Sequence, residues 1–221
     1  MEPNFIAFKS VNYITYIQNY IIQFNFIYST FTEHYSYKAE PMYQQKQFGI
    51  SPQSLVKLLE SEEEKVRTRA RKSLVTIGKQ AVTSLMLVLE NSKIYKARWE
   101  AAKALSEICD LKAIPVLVKT LEDPESDVAW LAAKTLEKFR KAAWPELLHA
   151  LVKRGSESVL LQRGAHHILR KQKAEGFNDL LEILRKSLES GSVPESISPA
   201  AYNILERMKK PSGLGEASHP K

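Results

Sequence analysis

Residues 97–105 read Ala97-Arg98-Trp99-Glu100-Ala101-Ala102-Lys103-Ala104-Leu105, and Ile108 follows three places later. Ala97, Ala101, Leu105 and Ile108 stand at spacings of 0, +4, +8 and +11, which places all four on one face of a helix advancing 100° per residue. The pattern recurs 31 residues earlier as Val66, Ala70, Leu74 and Ile77, and 31 residues later as Val128, Ala132, Leu136 and Phe139. Two looser copies follow, Leu161, Ala165 and Leu169, then Ile197, Ala201, Leu205 and Met208; the steps from Leu136 to Leu169 to Leu205 lengthen to 33 and 36. Ahead of each copy lies a second apolar stretch, at 55–59, 82–89, 114–121, 147–151 and 180–188.

Working outward from these helices, the turns come into view. Asp123-Pro124-Glu125-Ser126-Asp127 separates two apolar stretches, with Asp127 expected to cap the helix that follows. Pro115 and Pro145 fall where a first helical turn is expected, a position at which the missing N–H costs nothing. The small residue at +4 lets a neighbouring helix approach closely. A pair of helices this short cannot bury its apolar faces alone, but stacked pairs share one continuous core. The expected fold is therefore all-α: an α–α superhelix of about five helical hairpins.

The segments Lys65-Val66-Arg67, 97–105 and Leu121-Glu122-Asp123-Pro124 resemble the short HEAT-like repeats named after the phycobilisome (bilin) lyases. The resemblance spans about residues 51–210 and is sharpest in the first three copies. It implies a scaffold. It also implies that the arginine at Arg67 and Arg98 bridges neighbouring repeats; the third copy departs from the pattern with Ala129.

Three zones divide the chain. Residues 42–210 are read as the repeat domain. Residues 1–41 differ in kind, rich in Asn, Ile, Phe and Tyr, with no charge across 10–32. That run has the length of a membrane crossing, but Asn12, Gln18, Asn19, Gln23 and Asn25 lie within it. A weak anchor, a disordered extension and translated upstream sequence all remain open, and Met42 would make a sensible start. Residues 211–221 are read as a disordered tail.

The net charge is +7, and residues 1–50 balance three acids against three bases, so the whole excess lies in residues 51–221. A basic surface favours acidic partners. The face opposite the apolar stripe falls near +2, +6, +9 and +13. At +6 stand Lys72, Lys103, Lys134 and His167, and at +2 stand Trp99 and Trp130. Arg170 takes +9 in the fourth copy. Cations beside aromatic rings suit a site for peptides, anionic polymers or stacked bases, so Lys72, Trp99, Lys103, Trp130, Lys134, His167 and Arg170 are the candidate partner-binding residues. The same positions also suit packing between adjacent repeats.

Residues with catalytic spacing are missing. No His-Glu dipeptide of the kind that binds paired irons occurs, and adjacent His166 and His167 point about 100° apart on a helix. Lys103 and Lys134, rather than a carboxylate, stand one turn beyond the tryptophans. Phosphate loops, nucleophile elbows and zinc-protease motifs do not occur. Neither a cofactor nor a metal is expected. Cys109, the one cysteine, cannot form an internal disulfide, fits a reducing cytoplasm and is expected to be buried or half-buried. The functional expectation is a non-catalytic scaffold for an acidic protein partner. Nucleic-acid binding and a lyase-like or regulatory subunit of a larger enzyme remain as alternatives, with membrane contact confined to residues 10–32.

Overall fold

The computed structural model describes residues 51–189 and 193–210, so the readings of 1–41 and 211–221 lie outside the described residues. Ten α-helices form five hairpins among the described residues. The first hairpin pairs α1 (Pro52–Leu58) with α2 (Glu64–Ile77), and the second pairs α3 (Val82–Asn91) with α4 (Tyr95–Ile108). The third joins α5 (Ile114–Thr120) to α6 (Ser126–Phe139). The fourth comprises α7 (Trp144–Arg154) and α8 (Val159–Leu169), and the fifth α9 (Asn178–Ser187) and α10 (Ile197–Lys209).

The second helices stack in order, α2 on α4, α4 on α6 and α6 on α8. The first helices form a parallel layer, α1 with α3, α3 with α5 and α5 with α7. The second-helix layer packs more closely because its contact residues are small. Ala70, Ala97, Ala101, Ala102, Ala104, Ala132 and Ala165 are buried, and a leucine lies one turn beyond each +4 alanine in Leu74, Leu105, Leu136 and Leu169. A fully buried leucine contributes about 1.5–3 kcal/mol. A helix layer with this many of them is held by its core rather than by helix propensity.

Polar seams reinforce the stack. Arg98 donates to Asp123 through Nε at 2.7 Å and Nη2 at 2.9 Å, and to the Ser92 carbonyl through Nη1 at 3.0 Å. It thereby ties its own hairpin turn to the turn of the next hairpin. Both side chains are largely buried, at 11% and 6% exposed. The hydrogen bond to Asp123 raises the Arg98 pKa, so the guanidinium stays charged. Arg67, one repeat earlier, departs from the expected bridge: it reaches the Ser61 and Glu62 carbonyls at 2.8 Å each, within the turn of its own hairpin. Arg71 pairs with Glu100 at 2.8 Å and with Glu107, linking α2 to α4. Lys138 repeats that link between α6 and α4, donating to Ser106 Oγ at 2.8 Å.

Helix ends follow the sequence in part. Pro115 and Pro145 occupy first turns as expected, and Ser51 and Ser158 accept from Ser54 N and Leu161 N. Asp127 does not cap α6. The N-cap is Glu125, without a side-chain bond, and Asp127 lies within the first turn. Asp123 turns back instead to accept from the Glu125 N–H at 2.9 Å.

The fifth hairpin breaks the pattern. It forms, but α10 packs chiefly on α7, a first helix, rather than extending the second-helix stack beyond α8. The Ser198 hydroxyl donates to the Val152 carbonyl at 3.0 Å, and Ile197 lies close enough to Gly155 that a Cβ there would sit 2.7 Å from its Cγ2. Helix α9 buries one stripe, Leu181 and Leu184 with Leu188 beyond, and can cover one neighbour. Helix α10 buries Ile197, Ala200, Ala201, Ile204 and Leu205, a wider face with small residues that admit close approach to α7.

Residues 64–91 reach the length and mean hydropathy of a membrane-crossing helix. Gly78, at φ 71°, and the turn Gly78–Ala81 divide them into helices of 14 and 10 residues, each shorter than the roughly 20 a bilayer crossing needs.

Candidate functional site

The exposed face of the second helices carries the predicted ridge, with its arc shifted. Ser106, at +9 in α4, is buried beneath Lys138, because each second helix has neighbours on both sides. At +2 and +6, Lys72 and Trp130 are exposed while Trp99, Lys103 and Lys134 are half-buried, and at +13 Lys79 and Lys141 are exposed.

Trp99 and Lys103 face each other one turn apart on α4, the ammonium 5.6 Å from the ring centroid. Trp130 and Lys134 do the same on α6 at 6.0 Å. Attraction between a cation and the ring's negative face stabilises such a pair by about 0.5–1 kcal/mol at exposed sites. Trp130 is 53% exposed, a large apolar surface held in water, whereas Trp99 is half-buried. Lys72 on α2 is exposed and makes no ion pair among the described residues.

Lys134 and His167 meet at Glu137. The Lys134 ammonium lies 3.1 Å from Glu137 Oε2, and His167 Nε2 lies 3.7 Å from the same oxygen. The hydrogen bond from Lys134 holds the Glu137 carboxyl below the usual carboxylate range. Burial pushes His167 below the ordinary imidazole value, and neighbouring Arg170 adds to this. Arg170 itself turns away from the ridge. It lines a separate groove of about 300 Å³ with His166, Glu182, Arg185, Lys186 and Glu189.

A second concavity lies at the edge of the stack, where the turn after α6 faces the connection after α8. It has a volume of about 880 Å³ and is lined by Lys134, Glu137, Lys138, Arg140, Lys141, Trp144, Lys171, Gln172, Lys173 and Ala174. Six of these carry positive charge and one is acidic. Trp144 is buried, donates its indole N–H to Gln172 Oε1 and packs edge-on to Phe177, with ring centroids 5.8 Å apart. The Lys141 ammonium lies 4.3 Å from the Phe177 ring centroid. Of the predicted residues, Lys134 alone lines this cleft.

Sequence reasoning passed over Lys138, Arg140, Lys171, Gln172 and Lys173 because it followed helix faces and these residues stand at and beyond helix ends. A signal was present. Lys138-Phe139-Arg140-Lys141 and Arg170-Lys171-Gln172-Lys173 are two basic turns one repeat apart. Cys109 also corrects the expectation of burial. It is exposed, at φ 56°, because it ends α4 in a left-handed turn that points away from the core.

The HEAT repeat family model matches residues 52–137 and 82–167, together more than half of the chain. With the stacked hairpins described above, the chain belongs to the HEAT repeat family. Repeats of this kind are generally protein-interaction scaffolds and typically non-catalytic. Comparison with curated proteins gave no match.

Proposed function

We propose that this protein is a non-catalytic scaffold that holds an acidic protein segment across the exposed face of its second helices. The observation that carries the reading is the repetition of one device on successive helices. Trp99 with Lys103 and Trp130 with Lys134 present a ring and a cation at the same repeat positions, with unpaired Lys72 one helix before them. An extended acidic chain could lay carboxylates on the lysines and apolar groups on the exposed Trp130 ring. In solenoids this helix layer lines the concave binding surface. The cytoplasm suits such a protein, because the exposed Cys109 thiol stays reduced there.

The test is binding of a fluorescent Glu/Asp-rich peptide to the full chain at physiological salt. The triple variant Lys72→Glu, Lys103→Glu, Lys134→Glu should lose about tenfold or more in affinity with its helical circular dichroism unchanged. Undiminished affinity removes the ridge as the site. If a single-stranded DNA oligomer binds more tightly than the peptide, with a steep salt dependence, the partner is nucleic acid instead.

A further inference from the structure

We infer that the basic cleft between the α6–α7 turn and the α8–α9 connection binds a phosphate monoester carried on a protein segment, as on a phosphoserine or phosphothreonine. The inference rests on the scaffold reading above and assigns the cleft its own ligand group.

Charge is the first argument. Lys134 and Glu137 neutralise each other at 3.1 Å. That leaves Lys138, Arg140, Lys141, Lys171 and Lys173 around the opening, with no acid but Glu137 in the lining. Arg140, Lys171 and Lys173 make no salt bridge among the described residues, although nearby acids pair readily elsewhere, as Lys119 does with Glu90 at 2.7 Å. Cations near helix C-termini are ordinary complements to the helix dipole, but one or two per end suffice for that. Lys138 is held by Ser106 and Lys141 lies on the Phe177 ring, so Arg140, Lys171 and Lys173 face the cleft, and three cations match a dianion, which a planar guanidinium and ammonium groups bind by charge-assisted hydrogen bonds.

The backbone supplies the second argument. Arg140 holds φ 51° and ψ −131°. Gly78, at the same position two repeats earlier, holds φ 71° and ψ −133°. A glycine adopts this conformation freely, whereas an L-residue is strained there by about 1–3 kcal/mol. The third hairpin thus carries a guanidinium at the mouth of the cleft in a turn that glycine would satisfy better. A further donor adds to this. Gln172 lines the cleft, gives Oε1 to Trp144, and has a buried Nε2 with no acceptor among the described residues.

Shape narrows the ligand. A cleft of about 880 Å³ exceeds what one phosphate fills and leaves room for flanking residues. Nucleic acid fits less well, because the cleft offers no free ring for a base to stack on: Trp144 is buried and the Phe177 ring is covered by Lys141.

The experiment is a ¹H–¹⁵N titration of the full chain with three pentapeptides that differ only in a central phosphoserine, glutamate or serine. The expected result is saturable shifts of the amides of residues 140–143 and 170–174 with the phosphopeptide, at about tenfold or greater affinity over the glutamate peptide. Arg140→Gly and Lys173→Gln should each weaken that binding several-fold. Arg140→Gly should do so without lowering the melting temperature, since the turn accepts glycine at Gly78. Equal shifts with the phosphoserine and glutamate peptides, shifts that do not saturate, or tighter binding of a single-stranded oligomer at the same amides would each overturn the inference. The variant Lys72→Glu, Lys103→Glu should leave phosphopeptide binding intact while removing the Glu/Asp-rich peptide, so failure of the ridge and failure of the cleft read out separately.

Discussion

The first three hairpins and the last two are built from the same kinds of helix, yet they solve the stacking problem differently. Helices α2, α4 and α6 keep a 31-residue beat, 14 residues each, and every one finds its neighbour in the same layer. Helix α8 has 11 residues, the connections around α9 are longer, and α10 lies on α7 instead. Periodicity therefore dictates a layer only while helix length and loop length both repeat. Once the loops lengthen, the helix with the widest apolar face takes the largest uncovered surface, and α10 closes the first-helix layer. The polar seams divide the same way. The regular part is tied by buried arginines, whereas the α9–α10 hairpin relies on the exposed Arg207–Asp179 pair at 2.7 Å.

The largest expected effect tests the regular part. Asp123→Ala leaves the Arg98 guanidinium buried without its carboxylate and removes the acceptor for the Glu125 N–H. Breaking one side of a buried pair typically costs about 3–5 kcal/mol, and denaturant unfolding should show a loss of that order. A loss below about 1 kcal/mol, the usual size for an exposed pair, would mean that the seam contributes as little as a surface bridge. A smaller effect tests the irregular end. A Cβ on Gly155 would lie 2.3 Å from the Leu151 carbonyl oxygen and 2.7 Å from Ile197 Cγ2. Gly155→Ala should therefore destabilise by about 1–3 kcal/mol. Hydrogen exchange should quicken in α7 and α10 while α2 and α4 stay protected. Equal loss everywhere would show that the two regions unfold as one unit and would erase the distinction drawn above.

The smallest effect sits at the border between them. Burial lowers the His167 pKa, so the imidazole is neutral in the folded chain at pH 7. As the pH falls below about 6.5, the unfolded chain takes up this proton first, and the contribution of the α6–α8 seam declines until the lowered folded value is passed. Glu137 acts in the same direction at lower pH. Its depressed carboxyl contributes stability above the ordinary carboxylate range, and that stability is lost as the pH drops through the folded value. His167→Gln should remove the first decline and leave the second. A His167 midpoint at or above about 6.5 by NMR titration would contradict the buried environment.

Much of this was legible in the chain itself. Ala97, Ala101 and Leu105, repeated at 31 residues, predict the second helices and the faces they bury, because helical phase is a local property. The pairing of Trp99 with Lys103 and of Trp130 with Lys134 follows from the same four-residue step. Other features could not be read this way. The exposure of Cys109 and the strain at Arg140 depend on left-handed turns whose sequence signal, a glycine, survives only at Gly78. Burial of Ser106 depends on a neighbour one repeat away.

What the sequence determined alone is the helical phase, the hairpin count and the layered class of fold, since these follow from where apolar side chains fall within each turn. What only the tertiary structure decided is which surfaces face each other: α10 on α7, Asp123 under Arg98, and Arg140 across a cleft from Lys173. The physical reason is that contacts between elements depend on the summed geometry of helix lengths and connections, which no single stretch of residues encodes.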